Sequence, residues 1–152
     1  MGRAKRVQEP SAKDILDLLR YKHRKDVFVS ECKDGPTWSG TGHRRMDAWT
    51  MKRKWIHPLT IAYEIKKSRS DFLRDDKWPA YLPCCNQLFF VCPYGLIRPP
   101  EVDDRCGLMW VSKTGKTLVT KRRAPNRDLV ISENVYRYIL MCRTQIVAPN
   151  RF

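Results

Sequence analysis

Leu59-Thr60-Ile61-Ala62-Tyr63-Glu64-Ile65-Lys66 divides its side chains between two chemistries. Successive side chains of an extended strand point to opposite faces. Ile61, Tyr63 and Ile65 therefore share one face, and it is apolar. Thr60, Ala62, Glu64 and Lys66 share the other. There a carboxylate and an ammonium stand two residues apart, within about 7 Å along the strand. The small residues at 60 and 62 leave room beside them. The period then changes from two to a helical one. Ser68 and Ser70 are both candidate N-caps, and Ser68 and Asp71 have the spacing of a capping box. Phe72, Leu73 and Trp78 recur at helical intervals, and Pro83 is expected to end that helix.

The chain before this stretch supplies its neighbours. Arg44 to Met51 reads as a strand, with Met46, Ala48 and Thr50 on one face and Asp47 on the other. Lys52-Arg53-Lys54 is a basic turn. Asp34 to Gly42 holds three glycines and a proline and is expected to be a loop. Val27 to Cys32 is a short strand. Ile15, Leu18 and Leu19 give an amphipathic helix from Ala12 to about His23, with Ser11 as its N-cap. Residues 1–10 read as a flexible basic tail.

Downstream, Gln87 to Cys92 holds the apolar run Leu-Phe-Phe-Val of a central buried strand. Pro93 to Asp104 is a turn-rich connection. Gly107 to Val111 and Lys116 to Thr120 form a hairpin around Thr114-Gly115. Asn134 to Thr144 is a final helix with Val135, Ile139 and Leu140 inward. The order is helix, three strands, helix, strand, hairpin, helix. It predicts one α/β domain over residues 11–152, with a mixed sheet flanked by helices.

The chain has 152 residues, and its 30 Lys and Arg against 16 Asp and Glu leave a net charge of +14. That excess favours a polyanionic partner, nucleic acid before a membrane surface. No apolar run reaches the roughly 20 residues that span a bilayer, and the basic N-terminus lacks a signal peptide's apolar segment, so a cytoplasmic location is expected. The cysteines at 32, 84, 85, 92, 106 and 142 lack the C-x-x-C spacing of zinc and redox motifs. They read as reduced thiols, several of them in the core. A metal–sulfur site drawn from Cys84, Cys85, Cys92 and Cys106 is the lesser alternative. Gly115-Lys116-Thr117 imitates the end of a phosphate-binding loop, but Trp110 stands where the first glycine belongs, so no nucleoside triphosphate is expected.

The chemistry concentrates at three residues. Asp47, like Glu64, is out of phase with its strand's apolar positions, and the two strands are neighbours. Two carboxylates meeting beside Lys66 would form a hard-cation site of the oxygen-rich kind that Mg²⁺ prefers. The plain alternative is a surface ion pair of small energetic weight.

The stretches Arg45-Met46-Asp47-Ala48, Tyr63-Glu64-Ile65-Lys66-Lys67-Ser68, Asp71-Phe72-Leu73-Arg74-Asp75-Asp76-Lys77-Trp78-Pro79-Ala80-Tyr81 and Cys85 to Pro93 resemble the MmcB-like DNA repair family, as does Gly107-Leu108 at the hairpin. The likeness spans roughly residues 12 to 125. That family is placed in the PD-(D/E)XK nuclease superfamily, so the resemblance implies a restriction-endonuclease-like αβββαβ core. It further implies that Asp47 and Glu64 bind Mg²⁺ or Mn²⁺ with help from the Ile65 carbonyl. Lys66 would orient the attacking water and stabilise charge on the scissile phosphate. Met46 stands where the motif has proline. Glu31, on the first strand, is the candidate auxiliary acid, with a simple surface role as the alternative.

Around this centre Arg44, Arg45, Lys67, Arg69 and Lys77 are candidate phosphate contacts, each also readable as solvated charge. Lys121-Arg122-Arg123 is a second basic run, suited to the flank of a duplex. Trp38, in the glycine-rich loop, is the candidate base-stacking residue, whereas Trp78 and Tyr81 are expected to pin a helix to the sheet. The function expected is metal-dependent cleavage of DNA in repair or processing, with a homodimer or a repair-protein partner left open. The alternatives are a catalytically silent DNA-binding module of a repair or mobile-element assembly, and an RNA-directed nuclease.

Overall fold

The computed structural model describes residues 8–35 and 44–145. Six strands form one sheet in sequential order: β1 (Val27–Lys33), β2 (Arg45–Met51), β3 (Thr60–Ile65), β4 (Gln87–Cys92), β5 (Cys106–Val111) and β6 (Leu118–Arg122). β1, β2 and β3 pair antiparallel, β3–β4 and β4–β5 are parallel, and β5–β6 is an antiparallel hairpin. The sheet is mixed, as the order of elements predicts.

Each face carries its own apolar core. On one, Ile15 and Leu19 of α1 (Ala12–Lys22) pack with Ala48, Ile61, Tyr63, Phe89 and Val91. Ser11 caps α1 through a complete box with Asp14. On the other face, Trp49, Ala62, Leu88, Phe90 and Leu108 are covered by the segment from α2 (Arg69–Arg74) through the 3₁₀ turn Trp78–Cys84, and by Val135 of α3 (Glu133–Tyr138). Each large side chain removed from water contributes about 1.5–3 kcal/mol before its entropy is set against it. Gly107 allows Phe89 its place: a Cβ there would lie 2.4 Å from the Phe89 ring. Gly115 turns the hairpin with φ +75°. Among the described residues, no helix is long and apolar enough to cross a membrane.

Three expectations need correction. The helix expected to run to Pro83 stops at Arg74. Asp75 Oδ1 accepts the amides of Lys77 and Trp78, and Pro79 follows, so the chain resumes as a 3₁₀ turn. Leu140 points to solvent at 65% exposure, in the turn that extends α3. Met46 and Ala48 do not share a face: Met46 joins the core of Cys32 and Trp49, and Ala48 that of Ile15 and Tyr63. The lapse in alternation coincides with Glu31, across on β1, whose φ of +50° lies in the left-handed region. The five described cysteines of the core are free thiols, and Cys142 is an exposed one.

Candidate active site

β2 and β3 bring the acids together. Their register sets Ala48 against Tyr63, so Asp47 stands level with Glu64. There the backbone ladder gives way to a side chain: the Ile65 amide donates to Asp47 Oδ2 at 2.7 Å. One residue on, the Lys66 amide donates to the Val91 carbonyl at 2.9 Å. That bond prolongs the β3–β4 pairing and holds Lys66 on the face of Glu64.

Both ends of this E-x-K motif are buried, Glu64 at 6% and Lys66 at 5% exposure. The Lys66 ammonium lies 2.6 Å from Asp75 Oδ2 and 3.9 Å from both Glu64 Oε2 and Asp71 Oδ1. Glu64 Oε1 is buried with no hydrogen-bond partner. The side chains open onto a cleft of about 340 Å³ that Arg45, Arg74, Lys77 and Tyr81 also line. The Tyr81 hydroxyl donates to the Arg45 carbonyl and accepts its amide, which fixes the start of β2 against the 3₁₀ turn.

The electrostatics follow from burial and crowding. Burial, and then the neighbouring Asp47 carboxylate, push Glu64 up to about 9. Burial also raises Asp47, against the pull of the Ile65 amide and of Lys66. Lys66 is opposed by burial, but the hydrogen bond and charge of Asp75 hold its pKa above the ordinary lysine value.

This donor set fits a hard divalent cation. Two carboxylates face each other, one of them with a buried oxygen that nothing satisfies, and a positive ligand would relieve both strains. Among the described residues no three His, Cys, Asp or Glu side chains converge on one point. The remaining ligands would therefore be backbone carbonyl and water, which Mg²⁺ commonly retains.

The other candidates are placed unequally. Arg45 and Lys77 line the cleft, and Arg44 is exposed at the edge of β2. Lys67 is held by the Pro10 carbonyl and lies 3.9 Å from Glu9. Arg69 is clamped on Glu101, at 2.5 and 3.1 Å, and on the Leu96 carbonyl. Arg122 is tied to the Pro99 and Val102 carbonyls and to Asp104. Glu31 is level with Asp47 in the β1–β2 register, but its exposed carboxylate faces Arg45 at 3.8 Å. Trp38 lies outside the described residues. Trp78 packs edge-on against Phe90 and Tyr81 is buried, so both pin their segment to the sheet as expected.

Sequence reasoning gave Asp71 a capping role alone and Asp75 none. Their i, i+4 spacing after the E-x-K stretch was the available signal. The capping box at Ser68 forms only by half: its hydroxyl accepts the Asp71 amide, while the Asp71 carboxylate turns to Lys66.

A family model described as DNA repair protein MmcB-like matches residues 36–150. A solved structure of a protein of unknown function from Silicibacter pomeroyi shares the fold. Its TM-score is 0.61 at 20% identity, covering 92% of this chain and 88% of that one. No curated protein matches the chain.

Proposed function

The chain belongs to the MmcB-like family of DNA repair proteins, and from that premise we propose that it is a divalent-metal-dependent deoxyribonuclease of the PD-(D/E)XK type. The observation that carries this reading is the orphaned Oε1 of Glu64, buried beside Asp47, on a carboxylate whose other oxygen lies 3.9 Å from the Lys66 ammonium. The ion pair with Lys66 runs through Oε2 and leaves Oε1 unsatisfied.

Asp47 and Glu64 would hold Mg²⁺ or Mn²⁺, with the Ile65 carbonyl and water completing the shell. When bound, the ion supplies Lewis-acid stabilisation of the phosphoryl oxygen and a more acidic water. Lys66 carries three N–H donors. One is committed to Asp75 Oδ2, which aims the ammonium. The other two are free to hold the attacking water and a non-bridging phosphate oxygen, where negative charge grows. The water oxygen bonds to phosphorus as its proton passes to solvent, the bond to the leaving sugar oxygen breaks, and a proton from solvent ends on that oxygen. Arg45 and Lys77 at the rim would position the phosphates to either side.

The test is cleavage of labelled single-stranded, duplex and branched DNA in Mg²⁺, Mn²⁺ or EDTA. Metal-dependent cutting that Glu64→Ala and Lys66→Ala both lose is the expected result. Cutting that either variant retains in full would overturn the reading. Salt-sensitive binding without any cleavage would also overturn it, in favour of a non-cleaving DNA-binding module.

A further inference from the structure

The β2–β3 connection, at the far end of these strands from Asp47 and Glu64, is left unused by the cleft. It reads Lys52-Arg53-Lys54-Trp55-Ile56-His57. The loop is closed at its base, where the Lys52 amide donates to the Leu59 carbonyl at 2.9 Å, and Lys52 is anchored to Asp26 at 3.0 Å. At its tip Trp55 is fully exposed, at 101%, and Ile56 is 72% exposed. Trp49, by contrast, is completely buried. Arg53 and Lys54 are exposed, and neither has an acidic partner among the described residues. Lys54 and His57 of this loop also border a groove of about 680 Å³, shared with Arg127 and Tyr136.

A bare indole loses free energy to water unless something covers it. Uncommitted cations on the preceding residues state the sign of that partner. A polyanion with flat apolar faces satisfies both demands, since unpaired bases stack on tryptophan while cations take the adjacent phosphates. We infer that the β2–β3 loop is a second nucleic-acid contact, which stacks an unpaired DNA base on Trp55 and holds its flanking phosphates with Arg53 and Lys54. This rests on the reading of the cleft as a DNA site, and it extends that reading to a substrate with single-stranded character. Asp47 and Lys52 are roughly 17 Å apart along β2, at about 3.3 Å per residue. A strand of a few nucleotides covers that span.

The experiment is anisotropy of labelled oligo(dT) and of a matched duplex, titrated with the full chain in EDTA at several salt concentrations. Trp55→Ala is expected to weaken oligo(dT) binding about tenfold, with Trp55→Phe close to wild type. Arg53→Ala with Lys54→Ala is expected to flatten the salt dependence by about 1.4 in log–log slope, at about 0.7 per phosphate. Unchanged oligo(dT) affinity in Trp55→Ala would overturn the contact. An equal loss on duplex would overturn its preference for unpaired bases. Because EDTA removes any role of a cation, failure here is distinct from failure of the cleft reading, which is decided by cleavage with the unaltered chain.

Discussion

Tyr63 and Glu64 are neighbours on β3 that enter opposite faces of the sheet, and each meets a buried polar cluster. On the α1 side, His23 Nε2 lies 2.7 Å from the Tyr63 hydroxyl and Nδ1 lies 2.8 Å from Asp26, which also binds Lys52. A neutral imidazole donating to Asp26 and accepting from Tyr63 satisfies every polar atom. Burial, stronger than the counter-pull of Asp26, lowers the His23 pKa and keeps the ring neutral. On the cleft side, two carboxylates crowd together, the buried Glu64 Oε1 has no partner, and the cluster borders an open cleft. The first cluster is complete without a ligand and the second is not. Burial of polar groups alone therefore does not mark a functional site; the proposed function rests on incompleteness at an open cleft.

The largest expected effect sharpens that contrast. Lys66→Ala is expected to lower cleavage by on the order of 10²–10³ while leaving the fold intact, judged by rate assays and circular dichroism. Next, Tyr63→Phe is expected to cost about 1–3 kcal/mol of stability in urea unfolding, because it leaves His23 Nε2 buried without a donor. Its cleavage rate per folded molecule is expected to match wild type. A large loss of activity in Tyr63→Phe would break the division of roles.

Smaller again is Asp75→Asn, which weakens the hold on the Lys66 ammonium. About a tenfold loss of rate is expected, with the pH–rate profile shifted because Lys66 gives up its proton more easily. An unchanged profile would make Asp75 a cap for the 3₁₀ turn alone.

The two clusters also predict opposite limbs of the metal-free stability curve. The folded Glu64 carboxyl titrates near 9 against an ordinary 4.5. Folding then takes up a proton between those values, so stability falls as pH rises through that window. Glu64→Gln removes this penalty, a gain of about 1 kcal/mol or more at pH 8. The folded His23 titrates below its ordinary 6.5, so stability falls as pH drops below that value. His23→Gln should flatten that acid limb only. Thermal melts from pH 5 to 9 in EDTA read both limbs.

Much of this was legible in the chain. The alternation of β3 placed Glu64 and Lys66 on one face because a strand's period is fixed by its backbone. Asp47 stood out because it is out of phase with Met46, Ala48 and Thr50, although Met46 and Ala48 themselves lie on different faces. The family resemblance rested on the same residues and agrees with the match over residues 36–150. What was not legible depended on tertiary partners. Periodicity continued the second helix to Pro83, since it carries no information on where the Asp75 side chain would turn. The capture of Arg69 by Glu101, 32 residues away, is likewise invisible to local pattern. So is the left-handed backbone at Glu31, which coincides with Met46 and Ala48 lying on different faces.

The most direct measurement is Mn²⁺ binding followed by electron paramagnetic resonance, on wild type, Glu64→Gln and Tyr63→Phe at pH 7.5. The incompleteness of the Asp47–Glu64 pair predicts a cation site in wild type and Tyr63→Phe that is lost in Glu64→Gln. Equal binding by all three proteins, or none by wild type, would contradict it.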